Sequence, residues 1–160
     1  LVLDADALFA IAERGLLELP HGLDDAVVTP HAGECGRLSG LTAEEVAASP
    51  LELSKRLASN WNVNLLLKGR PTFIASPAGT VLISDSGTEA LATAGSGDVL
   101  AGMIGALAAK GLSTLDAAAA AAWLHGRAGD LACDVSSLVS STDLLQAIPL
   151  AVQELFEEEE

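Results

Sequence analysis

Ala94-Gly95-Ser96-Gly97-Asp98 stands directly before a long apolar stretch and holds the residue types that grip phosphate. Glycine opens backbone conformations closed to other residues. Successive N–H groups can then converge on one anion, and a helix behind them adds the positive end of its dipole. Gly95, Ser96 and Gly97 are the candidate anion hole. Asp98, at the junction with the helix, admits two readings. It is a first-turn acid that stabilises the helix, or a general base that takes a proton from a substrate hydroxyl as that oxygen attacks phosphorus. The loop alone leaves both open.

Cations are scarce, with 8 Lys and Arg against 22 Asp and Glu, so Lys68 and Arg70 stand out. They follow an apolar run and could equally be ordinary strand-end charges. His31 follows Pro30 in a strand-to-helix turn, where a histidine caps, packs or contacts a ligand. Glu34 favours the N-terminus of the helix after it. His125 and Asp130, on an Ala-rich helix, read as structural, and Asp143 reads as a helix N-cap.

The elements that must position these residues follow from periodicity and punctuation. Short apolar runs predict strands at residues 1–3, 26–29, 63–67, 72–76 and 80–84, the last two forming a hairpin around Pro77-Ala78-Gly79. Helical spacing predicts helices over residues 7–19 (Leu8, Ile11, Ala12, Leu16) and 33–41. Thr42 with Glu45 is a capping-box pattern, and Pro50 suits a first helical turn. Residues 88–97 read as a loop. Residues 98–110 are apolar nearly all round, which predicts a buried helix with Gly111 at its C-cap. An Ala-rich helix over residues 114–133 lets a neighbour approach closely. The last helix covers residues 144–156, kinked or divided by Pro149. Strands alternating with helices imply an α/β layered fold with antiparallel strands at one edge.

The chain of 160 residues can bury a real core, and half of its residues are apolar, which excludes a disordered tail. The formal net charge of −14 disfavours nucleic acid and anionic membranes as partners. The run at residues 157–160 reads as a solvated end. Cys35 and Cys133 lie far apart, so both read as reduced cytoplasmic thiols. No residue set forms a direct metal-ligand motif, and neither a transmembrane helix nor a signal peptide is expected. The chain begins at Leu1 inside an apparent core strand, so we read residues 1–160 as one domain, the C-terminal portion of a longer, N-terminally truncated unit.

Several ordered segments together resemble one family. They are residues 2–8 (Val-Leu-Asp-Ala-Asp-Ala-Leu), 29–34 (Thr-Pro-His-Ala-Gly-Glu), 66–69 (Leu-Leu-Lys-Gly) with Thr72, and 91–102 around the glycine loop. Leu124-His125-Gly126, Ala128-Gly129-Asp130, Asp143-Leu144-Leu145 and Ile148-Pro149 complete the series. The chain is similar to the ribokinase-like NAD(P)H-hydrate dehydratases. That resemblance implies a three-layer α/β/α sandwich. It implies ADP-dependent dehydration of the S-epimer of hydrated NADH or NADPH (NADHX, NADPHX): the ring hydroxyl is phosphorylated and phosphate is eliminated, giving AMP and phosphate. ADP, or ATP in some members, is the phosphoryl donor, with Mg2+. Asp98 would bind the hydrate and act as base, and His31 would contact the hydrated nucleotide. Lys68, Gly69, Arg70, Pro71, Thr72 and Gly97 would contact the adenine nucleotide. Asp4 and Asp6, at a strand end, would position substrate or Mg2+. A homo-oligomer, a tetramer, is expected, with the Ala-rich helix as one surface that could serve an interface.

Three departures from the family pattern stand out. Ala32 replaces a usual Pro, Phe9 a usual Asn, and Glu89 puts a negative charge near the expected phosphate. Two alternatives therefore stay open: a related kinase of a vitamin precursor, or a truncated subunit without catalysis.

Overall fold

The computed structural model describes residues 1–14, 25–136 and 138–157. The predicted helical residues 15–19, Leu16 among them, lie outside the described residues, as do residues 158–160 and the side chain of Glu157.

Five strands form one sheet in chain order: β1 (Val2–Leu3), β2 (Val27–Val28), β3 (Asn64–Leu67), β4 (Thr72–Ala75) and β5 (Val81–Ser84). β1, β2 and β3 are parallel, while β4 and β5 fold back antiparallel as the predicted edge hairpin. Side chains alternate between the two faces along each strand. Val28, Leu65, Leu67, Phe73 and Ala75 enter one core with Leu8, Cys35, Leu38, Val46, Leu53 and Leu57. Val27, Leu66 and Ile74 enter the other with Leu100, Ile104 and four alanines, Ala117, Ala118, Ala121 and Ala122. With both faces covered, the parallel strands read as unbroken apolar runs rather than alternating ones.

The first core is roofed by α1 (Ala5–Glu13), α2 (Ala32–Ser39), α3 (Ala43–Ala48) and α4 (Pro50–Trp61). The second is roofed by α5 (Ser96–Ala109) and α6 (Thr114–Val135), and α7 (Ser141–Glu157) packs on α6. The result is the expected α/β/α sandwich. Local chemistry starts several helices as expected. Thr42 and Glu45 form the reciprocal capping box of α3, and Pro50 opens α4. The alanines of α6 let it sit tightly against the sheet and α5. No helix among the described residues is long and apolar enough to cross a membrane.

Some expectations need correction. α1 begins at Ala5, so Asp6 lies in its first turn rather than at the strand end. α5 begins at Ser96, and a 3₁₀ turn, Glu89–Leu91, interrupts the predicted loop. α5 is not buried all round: Leu100 and Ile104 are buried, but Gly102, Ala106 and Ala109 are exposed. It lies on the sheet surface, so only one of its apolar faces is covered. α7 runs unbroken through Pro149 rather than dividing there. Its cap is Ser140, not Asp143: Asp143 N donates to Ser140 Oγ, and Ser140 N donates back to Asp143 Oδ2.

Candidate functional site

In open α/β sheets, ligands lie beyond the carboxyl ends of the parallel strands. Here those ends deliver Asp4 after β1, His31 after β2 and Lys68 at the end of β3. Lys68 N donates to Pro30 O at 2.8 Å, and Thr29 N to Leu3 O at 3.0 Å. The backbone register therefore sets the three side chains side by side. Ala5, with φ 44°, takes a left-handed conformation rare for a residue other than glycine. That turn directs the chain from β1 into α1 across the end of the sheet.

Lys68 is the hub. Its Nζ donates to Asp4 Oδ1 at 2.9 Å and lies 3.7 Å from Glu34 Oε2. All three side chains are largely shielded from solvent, so the pairing is stronger than that of an exposed ion pair. Gly97 lies against this cluster. A methyl group at that position would come within 3.4 Å of Asp4 Oδ2 and 3.5 Å of Lys68 Nζ. Asp4 thus joins the site, whereas Asp6 is exposed on α1 and makes no hydrogen bond or ion pair among the described residues.

His31 caps α2, one of the roles its place in the turn left open. Its Nδ1 accepts from Gly33 N and Glu34 N at 3.0 and 3.3 Å, and Glu34 Oε2 accepts from His31 N at 2.8 Å. Nδ1 carries the cap, and Nε2 lies 3.6 Å from Glu34 Oε1. The side chain is 59% exposed and lines a cleft. That cleft, of about 560 Å³, falls within the size range of small-ligand pockets. Its walls include His31, Lys68, Gly69, Arg70, Thr72, Ser96 and Gly97. Thr72 Oγ1 donates to Gly69 O at 2.9 Å and fixes the turn after β3. Arg70 is exposed on the wall and makes no ion pair among the described residues. Pro71 belongs to the same turn but does not line the cleft.

Gly95 takes φ 84°, a left-handed conformation, and swings the chain into α5. Ser96 is held firmly: its amide donates to Thr93 O at 3.3 Å and its hydroxyl to Leu91 O at 2.6 Å. Of the predicted anion hole, Ser96 and Gly97 reach the cleft wall, while Gly95 makes the turn behind it. The Ser96 amide is spent on that turn. The Gly97 and Asp98 amides, in the first turn of α5, have no protein acceptor among the described residues. Asp98 is exposed, and no hydrogen bond or ion pair among the described residues engages its carboxylate. A capping acid at this position would accept from the Gly95 amide; that bond is absent.

Sequence reasoning missed the second half of the wall. Ser86, Gly87, Leu91, Ala122, His125 and Gly126 line it together with Glu89. α6 touches the chain leaving β5 so closely that methyl groups at Gly126 and Gly129 would meet Ser86 and Leu91. Asp130 Oδ2 accepts from Gly87 N at 3.3 Å. His125 Nε2 lies 2.9 Å from Ser96 O. Two helix-interior glycines three residues apart were the available signal, since each costs about 1 kcal/mol and marks a close contact on one face. Of the departures, Glu89 stands on the cleft wall. Phe9 is half exposed on α1, with the Arg37 guanidinium 5.2 Å above its ring.

Comparison with known proteins fits this geometry. The chain is 45% identical to a bifunctional NAD(P)H-hydrate repair enzyme of Moorella thermoacetica, over 99% of this chain and 30% of that one. It is 41% identical to an ADP-dependent (S)-NAD(P)H-hydrate dehydratase of Neisseria meningitidis, over 81% of this chain and 44% of that one. A crystal structure of the ADP/ATP-dependent NAD(P)H-hydrate dehydratase of Bacillus subtilis, grown with ATP and Mg2+, superposes with a TM-score of 0.87 at 30% identity. That match covers 96% of this chain and 55% of the other, so the chain spans about half or less of each relative's length. The NAD(P)H-hydrate dehydratase family profile matches residues 1–150. A profile match over most of the chain, with this fold shared at 30% identity, shows that this protein belongs to the NAD(P)H-hydrate dehydratase family.

Proposed function

We propose that the cleft carries out nucleotide-dependent dehydration of the S-epimer of hydrated NADH or NADPH, with ADP or ATP as phosphoryl donor. One observation carries the reading most. Ser96 and Gly97, in the bare first turn of α5, converge with Lys68 and His31 on a single cleft large enough for a nucleotide, and Asp4 holds Lys68 there. The Gly97 and Asp98 amides would meet the transferable phosphoryl group. Lys68, held by Asp4 and Glu34, and Arg70 would supply the positive charge that the acidic surface lacks. Gly69, Pro71 and Thr72 would shape the turn against the nucleotide, and His31, exposed on the cleft wall, would contact the hydrated ring.

In this scheme Asp98 takes the ring hydroxyl proton as that oxygen bonds to the terminal phosphorus. The bond from phosphorus to AMP, or to ADP when ATP is the donor, breaks. The ring C–O bond then breaks and phosphate departs. A proton leaves the adjacent carbon, and the double bond returns. Mg2+ would neutralise charge on the polyphosphate. The donor set suits an ion that arrives on the nucleotide, because Asp4 and Glu34 are already engaged and no cluster of three metal-binding side chains forms among the described residues. A homo-tetramer in the cytoplasm belongs to the same proposal. Exposed Leu145, Leu150 and Phe156 on α7 offer it an apolar face, and light scattering tests it.

The test is to mix the protein with hydrated NADH, Mg2+ and either ADP or ATP, and to follow the return of the reduced-nicotinamide absorbance. Recovery that requires nucleotide supports the dehydratase. Turnover of a vitamin-precursor alcohol with no such recovery would reassign the cleft to a kinase. No nucleotide binding at all would leave a non-catalytic subunit.

A further inference from the structure

Building on that reading of the cleft, we propose that His125 is a positioning residue: it holds the Ser96 carbonyl and thereby aims the Gly97 amide into the cleft. His125 is 8% exposed on α6, among positions otherwise filled by Ala, Gly and Leu. A polar ring buried there is costly unless hydrogen-bonded. Its Nε2 lies 2.9 Å from Ser96 O. A carbonyl can only accept, so Nε2 carries the proton. Burial lowers the proton affinity of the ring. The bond to Ser96 opposes that shift, and the charge of Lys68 adds to it. The ring is therefore neutral, and its single proton is committed to Ser96.

The consequence follows from peptide geometry. The Ser96 C=O and the Gly97 N–H belong to one planar trans unit and point in opposite directions. Fixing the carbonyl fixes the amide. Gly97 has no side chain to restrain that plane, and glycine is the residue most free to rotate it. The first turn of α5 orients that plane from one side, and the Ser96 hydroxyl and amide are bound to Leu91 O and Thr93 O upstream, so no other side chain reaches the carbonyl among the described residues. His125 adds a second restraint, from α6, at the helix end where fraying would otherwise turn the amide away.

The test uses the full chain with ADP and ATP as separate probes. Affinity is read by calorimetry, Gly97 amide orientation by its NMR shift on ADP addition, and folding by thermal unfolding. His125→Leu fills the space without a donor and should weaken nucleotide binding about tenfold, with the ADP-induced Gly97 shift reduced. His125→Gln, whose amide N–H reaches the Nε2 position, should return affinity to within about threefold of wild type. If the Leu variant fails to fold, His125→Asn, whose amide stops short of Ser96, should show the same loss. Wild-type affinity in a folded variant without the donor overturns the inference. So does an equal loss in the Gln variant, which would make the ring a packing element. Absence of nucleotide binding by wild type would instead defeat the functional reading, and this inference with it.

Discussion

The contact between α6 and the chain leaving β5 makes a sharp prediction about Gly126→Ala. A methyl group built on Gly126 lies 2.6 Å from both the carbonyl carbon and oxygen of Ser86, and against its hydroxyl as well. The obstacle is backbone, so residues 86–91 must move. Within a helix interior, Gly→Ala alone stabilises by about 1 kcal/mol. Overpacking costs about 1–3 kcal/mol. Displacing Ser86 also loosens its hydroxyl contacts with the Trp123 and Ala122 carbonyls, at 3.1 and 3.5 Å, each worth about 0.5–1.5 kcal/mol. The net expectation is a loss of about 1–3 kcal/mol. Gly102→Ala is the control. Gly102 lies inside α5 on its exposed side, with nothing within 4 Å of an added methyl, so the propensity gain of up to about 1 kcal/mol should appear undiminished. One substitution in two helices should therefore have opposite signs in urea unfolding. Because Ser86, Gly87 and Leu91 wall the cleft, Gly126→Ala should also weaken ADP binding and Gly102→Ala should not. A Gly126→Ala protein as stable as Gly102→Ala would refute the close-approach argument.

Asp98→Asn should lower turnover of hydrated NADH by about 10²–10⁴ with ADP affinity nearly unchanged; turnover within a few-fold of wild type would remove Asp98 as the base. The Arg127 guanidinium, with hydrogen bonds of 2.6 and 2.8 Å, holds the Glu154 carboxyl below its ordinary range. A depressed carboxyl contributes stability above its unfolded pKa and loses it as pH falls through the folded value. The stability gap between wild type and Glu154→Gln should therefore be full at neutral pH and close as acid passes through and below the ordinary glutamate range. A gap that ignores pH would contradict the ion pair between α6 and α7. Burial pushes the Cys35 thiol up to about 11, so a maleimide at neutral pH should spare it in the folded protein and label it after urea unfolding. Rapid labelling of native protein would show that α2 opens.

What could be read along the chain was whatever is decided within one helical turn or one strand. Thr42 and Glu45 sit three residues apart, so the capping box of α3 was legible before any fold was known. The same local logic offered a cap as one role for His31 and placed Glu34 in the first turn, but it did not decide between capping and ligand contact. At α7 the sequence pointed to Asp143 as the cap, whereas Ser140 is the cap and Asp143 its third-position partner, because a Ser-x-x-Asp pair admits either acid or hydroxyl as the apparent start. Apolar runs marked all five strands; in β2 and β3 burial on both faces needs apolar residues at nearly every position, whereas edge strand β5 leaves Leu82 and Ile83 exposed. They could not show that the apolar outer side of α5 stays open.

The residue types at the heart of the cleft, a glycine turn followed by an acid and a few cations in an acidic chain, were set by sequence alone. Which of them meet was decided only by tertiary structure. Lys68 finds Asp4 across 64 residues and His125 finds Ser96 across 29. Neither pairing leaves a spacing signature, because it depends on strand register and on how closely glycines let α6 approach its neighbours. Hydrogen bonds within a turn are encoded by separation along the chain; those between layers exist only once the layers have packed.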